Sequence, residues 1–600
     1  MRLARTPFLL AALLASLLTG SMAHAQDADG KAEKARKPEK ASKGEKGQKA
    51  RKGQTAQPAG NGQVTADDIV DRMSKAEHGV LERLRTSHPL MEVYIQNLAP
   101  DEARGWVPTD DNYFLGQLQF DDAPALRPLG AKAQQQRGVM LRILSHQPNV
   151  GDAFAATVAP DWRALDRKRY EFKYVRREFL GESRCFVFDV KPLRESREGF
   201  VGRIWIEDRD YNLVRFNGAS RGSDETLSGL LKRTLSFHMD GWRVNAAPGV
   251  WVPSYVYSEE TDLNGEKSKS SQRQVRFKSQ TRIWGYEARG ADRSGSLTTI
   301  RIDEPNVADT SEGAAQLSPV LSQRRWEQEA EGNVLEKLEA MGLLAPVGEA
   351  DKVLETVLNN IVVTNKVNLE RPLHCRILLT SPLESFTVGH TIVLSRGLVD
   401  VLPDEASLAT MLAHELSHVA LGHQLIDTKF SFADRLMVTD AELLQTLRFR
   451  RTPKEEAAAD EKVIELLGKS PYRDKLGDAG LFLRALADRA KQLPRLIQPH
   501  IGDYMAANGQ MTRLAELMKQ APPLLPDSLD QIAALQLGAR LVVDAWSGKL
   551  ALDRSPAVPL TSVREKVPLA VTPLMPVIRY AQPLEVGTPL RTVGEVRDVR

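Results

Sequence analysis

Only two cysteines occur in the 600 residues, Cys185 and Cys375. So low a count excludes a scaffold stapled by disulfides. The two fall in stretches read below as different domains, so two buried free thiols are expected in place of a bridge. After the first 25 residues no apolar run approaches the roughly 20 residues that a helix needs to span a bilayer. Charge bias is also missing: 81 basic against 78 acidic residues leave +3, too little to make nucleic acid an expected partner. No segment recurs at a fixed period, which sets aside repeat architectures. Residues 26–62 lack any large apolar side chain and cannot bury enough surface to fold. That basic linker has two open readings, a solvated tether or an electrostatic arm for an anionic membrane surface or cell-wall polymer.

What is present begins with MRLARTPFLLAALLASLLTGSMAHA. Arg2 and Arg5 give a positive start, Phe8 to Leu18 a short apolar core, and Ala23-His24-Ala25 a small-residue cleavage site, so residues 1–25 read as a signal peptide. A membrane anchor is the competing reading, but the run is short for a span and no Cys follows it for lipid attachment. The mature protein is expected to be soluble and periplasmic, with any membrane contact peripheral.

A chain this long exceeds one ordinary core, and an α+β multidomain fold is expected. Residues 63–305 open with a helical stretch, ADDIVDRMSKAEHGVLERL, and then turn β-rich. Tyr170, Phe172 and Tyr174 alternate, as do Phe186, Phe188 and Val190; Ile204 and Ile206, Leu213 to Phe216, and Trp251, Tyr255 and Tyr257 mark further strands. Short alternating runs separated by turn signals predict an antiparallel meander. Residues 306–344 read as an interdomain helix and linker ending at Gly342. A compact, mainly helical domain is expected over 345–525, followed over 526–600 by a C-terminal helix and an extended tail.

The chemistry concentrates in MLAHELSHVALGH, residues 411–423. Asp404 can cap a helix through this stretch. On it His414 and His418 stand one turn apart and leave the same face, where two imidazoles can take two corners of a zinc tetrahedron. Glu415 sits beside that face, placed to take a proton from an attacking water. His423 is too far along: on a continuous helix it points about 180° from His414 at roughly 100° per residue. It is expected to be structural, or to touch substrate or a neighbouring loop. The third ligand is sought downstream in TPKEEAAADEKVIELLGK, where Pro453 suits a first helical turn. Glu456 can give a carboxylate oxygen, and Asp460, one turn on, can accept the spare N–H of a ligand histidine. Glu455 is the weaker choice, about 100° away. The small alanines between the carboxylates suit a close approach of two helices.

HELSHVALGH followed by EAAAD resembles the gluzincin metallopeptidases of family forty-eight, the group that includes the CAAX prenyl endopeptidases. The resemblance runs over about residues 345–520 and is nearest to the family's soluble periplasmic branch, without that branch's helical repeats. It implies one zinc per chain on His414, His418 and Glu456, Glu415 as general base, Asp460 behind the ligands, and protein or peptide substrates from the envelope, unfolded or misassembled. Glu384-Ser385-Phe386 and Gly389-His390 stand where family members usually carry Asn-Ala-Phe and a Gly pair, which bears on substrate preference. An oxyanion donor is sought in LIQPHIGDYMAANGQMTRLAEL, which offers His500, Tyr504 and Arg513; His500 can stabilise the intermediate, gate the zinc, or lie on the surface. The helix-then-sheet order over about 65–300 resembles the LolA-like fold, which implies a concave apolar face able to hold acyl chains or extended peptide. A chaperone or a lipid or lipoprotein carrier with an idle metal site is therefore the rival function.

Overall fold

The computed structural model describes residues 64–581 apart from 121–122, 130–149, 195–198, 222–235, 262–276, 287–318, 370, 424–448, 450, 499–500, 503–504, 508–509, 526, 532–540, 544–548, 553–560, 567–568 and 572–577. The expected signal peptide and basic linker, with His500 and Tyr504, lie outside the described residues. Contacts divide the chain into Met1–Gln63 and Val64–Arg600, and all described residues belong to the second unit.

Helix α1 (Ala66–Ser87) starts on a capping box, in which Thr65 and Asp68 satisfy each other's backbone N–H groups;. Its apolar stripe, Ile69, Val70, Met73, Val80, Leu81 and Leu84, is buried. Ten antiparallel strands follow in one sheet: β1 (Leu90–Asp101), β2 (Gly105–Phe120), β3 (Pro124–Pro128), β4 (Tyr170–Leu180), β5 (Ser183–Pro192), β6 (Gly199–Glu207), β7 (Leu213–Arg221), β8 (Ser236–Ala247), β9 (Val250–Thr261) and β10 (Phe277–Trp284). The order is β3-β2-β1-β10-β9-β8-β7-β6-β5-β4, a meander whose first strand pairs with its last, as in Val93 opposite Thr281. The expected runs form β4, β5, β6, β7 and β9.

Strand β4 at the edge of this sheet is largely exposed, whereas both faces of its central part are covered. On one, Phe186, Phe188, Ile204, Phe216 and Val256 pack with the first half of α1, and Met91, Val93 and Ile95 with its second half. An apolar face open to acyl chains was expected; α1 fills it over these residues. On the other face Tyr94, Trp205, Trp242, Trp251 and Tyr257 share a core with the C-terminal half of the chain.

Polar side chains fix that second contact. Glu92 accepts from the Ser381 N–H (2.6 Å) and hydroxyl (2.8 Å), and from Arg396 at 3.3 Å. Asp111 accepts from the N–H groups of Arg495 (2.9 Å) and Leu496 (2.8 Å), and burial pushes its carboxyl up to about 6 even though those donors favour the charge;. Gln96 donates to Leu569 O at 2.6 Å and accepts from Val571 N–H at 2.8 Å. Further along the tail Tyr580 lies edge-on to Trp251 with ring centroids 5.8 Å apart, under the Arg209 guanidinium. Glu92→Gln keeps the shape but removes the charge that Arg396 and Ser381 face. It is expected to lower stability by about 1–3 kcal/mol, read as a lower urea midpoint at unchanged slope.

The C-terminal half is mainly helical around a small sheet. Helix α2 (Pro319–Ala340) ends just before Gly342, at φ 73°, near the expected place, and α3 (Glu349–Asn365) follows. Strands β11 (His374–Leu378), β12 (Ser385–Val388) and β13 (Thr391–Ser395) form a sheet in the order β11-β13-β12. Then come α4 (Arg396–Val401), α5 (Glu405–Ala420), α6 (Pro453–Gly468) and α7 (Leu476–Arg489). Of the expected C-terminal helix, residues 532–540 and 544–548 lie outside the described residues; within it Leu541–Val543 is a strand paired with Leu550–Leu552, as its β-branched Val pair favours. Cys185 and Cys375 are buried free thiols, and burial pushes both up, Cys185 to about 12.

Candidate metal centre

Asp404 caps α5 by accepting the Ser407 N–H at 2.7 Å, and every residue from Ala406 to His418 is buried. Four residues apart, His414 and His418 bring their Nε2 atoms to 3.2 Å. Helix α6 packs across them. Thr452 and Glu455 close its capping box and Pro453 occupies its first turn, which commits Glu455 to the helix start and leaves Glu456 facing α5. Of the intervening alanines, Ala459 is the fully buried one, so it sets the closeness of approach.

Glu456 Oε2 is 3.2 Å from His414 Nε2, and Oε1 is 3.6 Å from His418 Nε2. One ligand atom from each of the three residues lies within 4.8 Å of the others. Both Glu456 oxygens are buried without a hydrogen-bond partner. Two nitrogens on one tetrahedral zinc stand about 3.3 Å apart for bonds of roughly 2.0–2.1 Å. An orphaned carboxylate facing two convergent imidazoles therefore fits a divalent cation of the zinc type.

Behind the ligands, Asp460 accepts the Leu514 N–H at 2.7 Å and lies 3.4 Å from His414 Nδ1, loose for a hydrogen bond. His423 stands outside the ligand group, as expected, but the continuous helix assumed for its direction does not hold. The helix stops at Ala420, Gly422 takes φ 69°, and the chain turns back so that His423 Nδ1 meets His418 Nδ1 at 3.0 Å.

Glu415 is buried and outside the three-residue group. Its Oε1 accepts from the Ser385 hydroxyl (2.7 Å) and Arg513 (3.1 Å), and its Oε2 from the Thr387 hydroxyl (2.7 Å). Arg513 also donates to Ser385 Oγ at 2.8 Å. Burial opposes the Glu415 charge, but Arg513, His414 and the two hydroxyls outweigh it and hold the carboxyl below its usual range. Arg513, one of the three residues offered as an oxyanion donor, is thus engaged with Glu415. Sequence reasoning passed over Ser385 and Thr387 as partners of Glu415; their spacing of two on a strand, which puts them on one face, was the available signal.

Residues 351–468 match the model of Peptidase family M48. An M48 domain indicates a peptidase, and the family's members are zinc metallopeptidases, in keeping with the His414–His418–Glu456 group. The match contains both ligand-bearing helices and ends before Arg513. No curated protein matches the chain. Among solved structures, a LolA superfamily protein from Nitrosomonas europaea is similar at 13% identity, covering 37% of this chain and 92% of its own, with a TM-score of 0.17. A DUF1329 family protein from Desulfovibrio piger is similar at 9% identity, covering 37% and 95%, also at 0.17. The fold class stands on the strand order and helices described above.

Without a metal, burial disfavours a proton on His414, but the Asp460 and Glu456 carboxylates outweigh it and raise His414 to about 9. Burial first, then the His414 charge, push His418 down to about 2, and His414 holds Glu456 at about 2 against burial. A cation binding at this centre therefore competes with the proton on His414;. Because that proton must leave, zinc affinity is expected to rise with pH through the neutral range;, as measured by competition with a chelator of known affinity. A flat profile would show that His414 carries no proton in the metal-free protein.

Proposed function

We propose that this protein is an exported zinc endopeptidase that cuts extended segments of unfolded or misassembled envelope proteins. The observation that carries the reading is the convergence of His414, His418 and Glu456, with nitrogens and oxygens 3.2–3.6 Å apart, inside the M48 domain and one residue from a buried carboxylate. The three residues would hold one zinc per chain, which when bound would supply Lewis acidity toward water and the scissile carbonyl;. Glu415 takes the proton of the attacking water and passes it to the leaving amine. Arg513 keeps Glu415 ionised and so ready to accept that proton.

Strand β12 is the edge of its sheet, paired with β13, and an extended substrate adding beside it would lie next to Glu415. Export to the periplasm follows the N-terminal signal, and the 26–62 arm offers a peripheral contact with an anionic surface. Nucleic acid is not a partner in this reading. The carrier alternative is weakened by α1, which occupies the apolar sheet face.

The test is cleavage of casein by the mature protein. One zinc per chain is expected, with cleavage lost on chelation and restored by added zinc. A zinc-loaded protein that never cleaves casein or any other unfolded protein would favour the carrier or chaperone alternative.

A further inference from the structure

We propose that His423 is a positioning residue of the metal centre: it accepts a hydrogen bond from His418 Nδ1–H and thereby fixes the ring and tautomer in which His418 offers Nε2 to the cation. This inference rests on the metal reading above but not on the substrate or on cleavage.

A histidine binds a metal through an unprotonated nitrogen, so its proton must sit on the other ring atom, and a partner there orients the ring. For His418 the assignment is forced by its surroundings. Nε2 faces His414 Nε2 at 3.2 Å and Glu456 Oε1 at 3.6 Å, which makes it the ligand atom and puts the proton on Nδ1. At 3.0 Å from that Nδ1 stands His423 Nδ1. One proton serves a nitrogen–nitrogen hydrogen bond. His418 therefore donates, His423 accepts, and the His423 proton resides on Nε2.

The backbone is arranged to deliver this contact. On a continued helix His423 would point away from His414. Instead the chain reverses at Gly422, whose φ of 69° suits a residue without Cβ. The His423 N–H returns to His418 O at 2.9 Å, and Arg451, just before α6, donates to His423 O at 2.9 Å. Helix α5 and the segment leading into α6 thus both hold the residue. The two ligand histidines are supported unequally: Asp460 stands 3.4 Å from His414 Nδ1, while His418 has the closer, neutral partner.

The decisive experiment measures affinity for zinc alone, by chelator competition, in the full mature chain and in His423→Ala and His423→Asn. Asn sets an acceptor oxygen where Nδ1 stood. Loss of such an outer partner weakens metal binding about 10–100-fold. His423→Ala is expected to show that loss while the metal-free protein melts as the parent does, and His423→Asn is expected to recover most of it. Nitrogen NMR of the zinc-loaded parent should show His418 protonated on Nδ1 and His423 on Nε2. The proposal is overturned if His423→Ala binds zinc within twofold of the parent, if Asn and Ala are equally weak, or if the His423 proton is found on Nδ1. A parent that binds no zinc would overturn the metal reading itself, whereas normal parent binding with an unaffected His423→Ala would overturn this inference alone.

Discussion

Glu415→Gln is expected to lower kcat for casein cleavage by at least about a thousandfold while leaving zinc content unchanged. Glutamine has nearly the same volume and its one carbonyl oxygen can still accept from Ser385 or from Thr387;, but it cannot take up a proton. A positioned acid–base group contributes about 10²–10⁴ in rate, and here one carboxylate serves both the attack and the departure of the amine. Zinc should stay because Glu415 lies outside the ligand group. The fold is the control to run beside it, since the change removes the counter-charge of a buried arginine. A melting curve close to the parent's with activity gone would isolate the proton-transfer role. Undiminished cleavage would place the base elsewhere.

Arg513→Met is expected to cost about 3–5 kcal/mol of stability, because removing one partner of a buried ion pair strands the other. Both side chains are almost wholly inaccessible, at 2% and 3% exposure. Stranding Glu415 has a second effect. Arg513 is the main group holding that carboxyl down, so its loss should raise the Glu415 pKa. A base works only when deprotonated, so the acid limb of the pH–rate profile should move to higher pH. Urea unfolding and the pH profile of kcat/KM check the two effects separately. In the double variant with Glu415→Gln the stability loss should be smaller than the sum of the singles. Additive losses would mean that the pair makes no net contribution to the fold.

Much of this centre was legible because its parts are local. His414 and His418 are one turn apart, Glu456 and Asp460 likewise, and each helix carries its own start signal in Asp404 or Thr452-Pro453. Helical geometry alone puts those side chains on the faces where they are found. The direction of His423 was misread because ideal helix was assumed over the nine residues from His414, although the helix ends at Ala420 and the chain turns at Gly422. Arg513, Ser385 and Thr387 escaped for a different reason: their relation to Glu415 is made by tertiary packing across 98, 30 and 28 positions. The sheet shows the same division. Strands such as Phe186-Phe188-Val190 announce one buried face by alternation. In β1 the alternate set is Glu92, Tyr94 and Gln96, which reads as a solvent-facing side. It is buried beneath the C-terminal half, where each polar group finds a specific partner.

The strap formed by Leu569, Val571, Ile578 and Tyr580 bears on how the chain reaches its native state. Gln96 finds its acceptor 473 positions away and its donor 475 away. Contacts of such separation are the slowest to form, because a long loop must close before they return any free energy. Sheet residues such as Tyr94 and Trp251 therefore remain without their cover until the end of the chain arrives. A nascent or truncated chain presents that aromatic surface to its neighbours, and intermediates of this kind associate readily. The terminal strap is therefore expected to be among the last parts of the chain to dock.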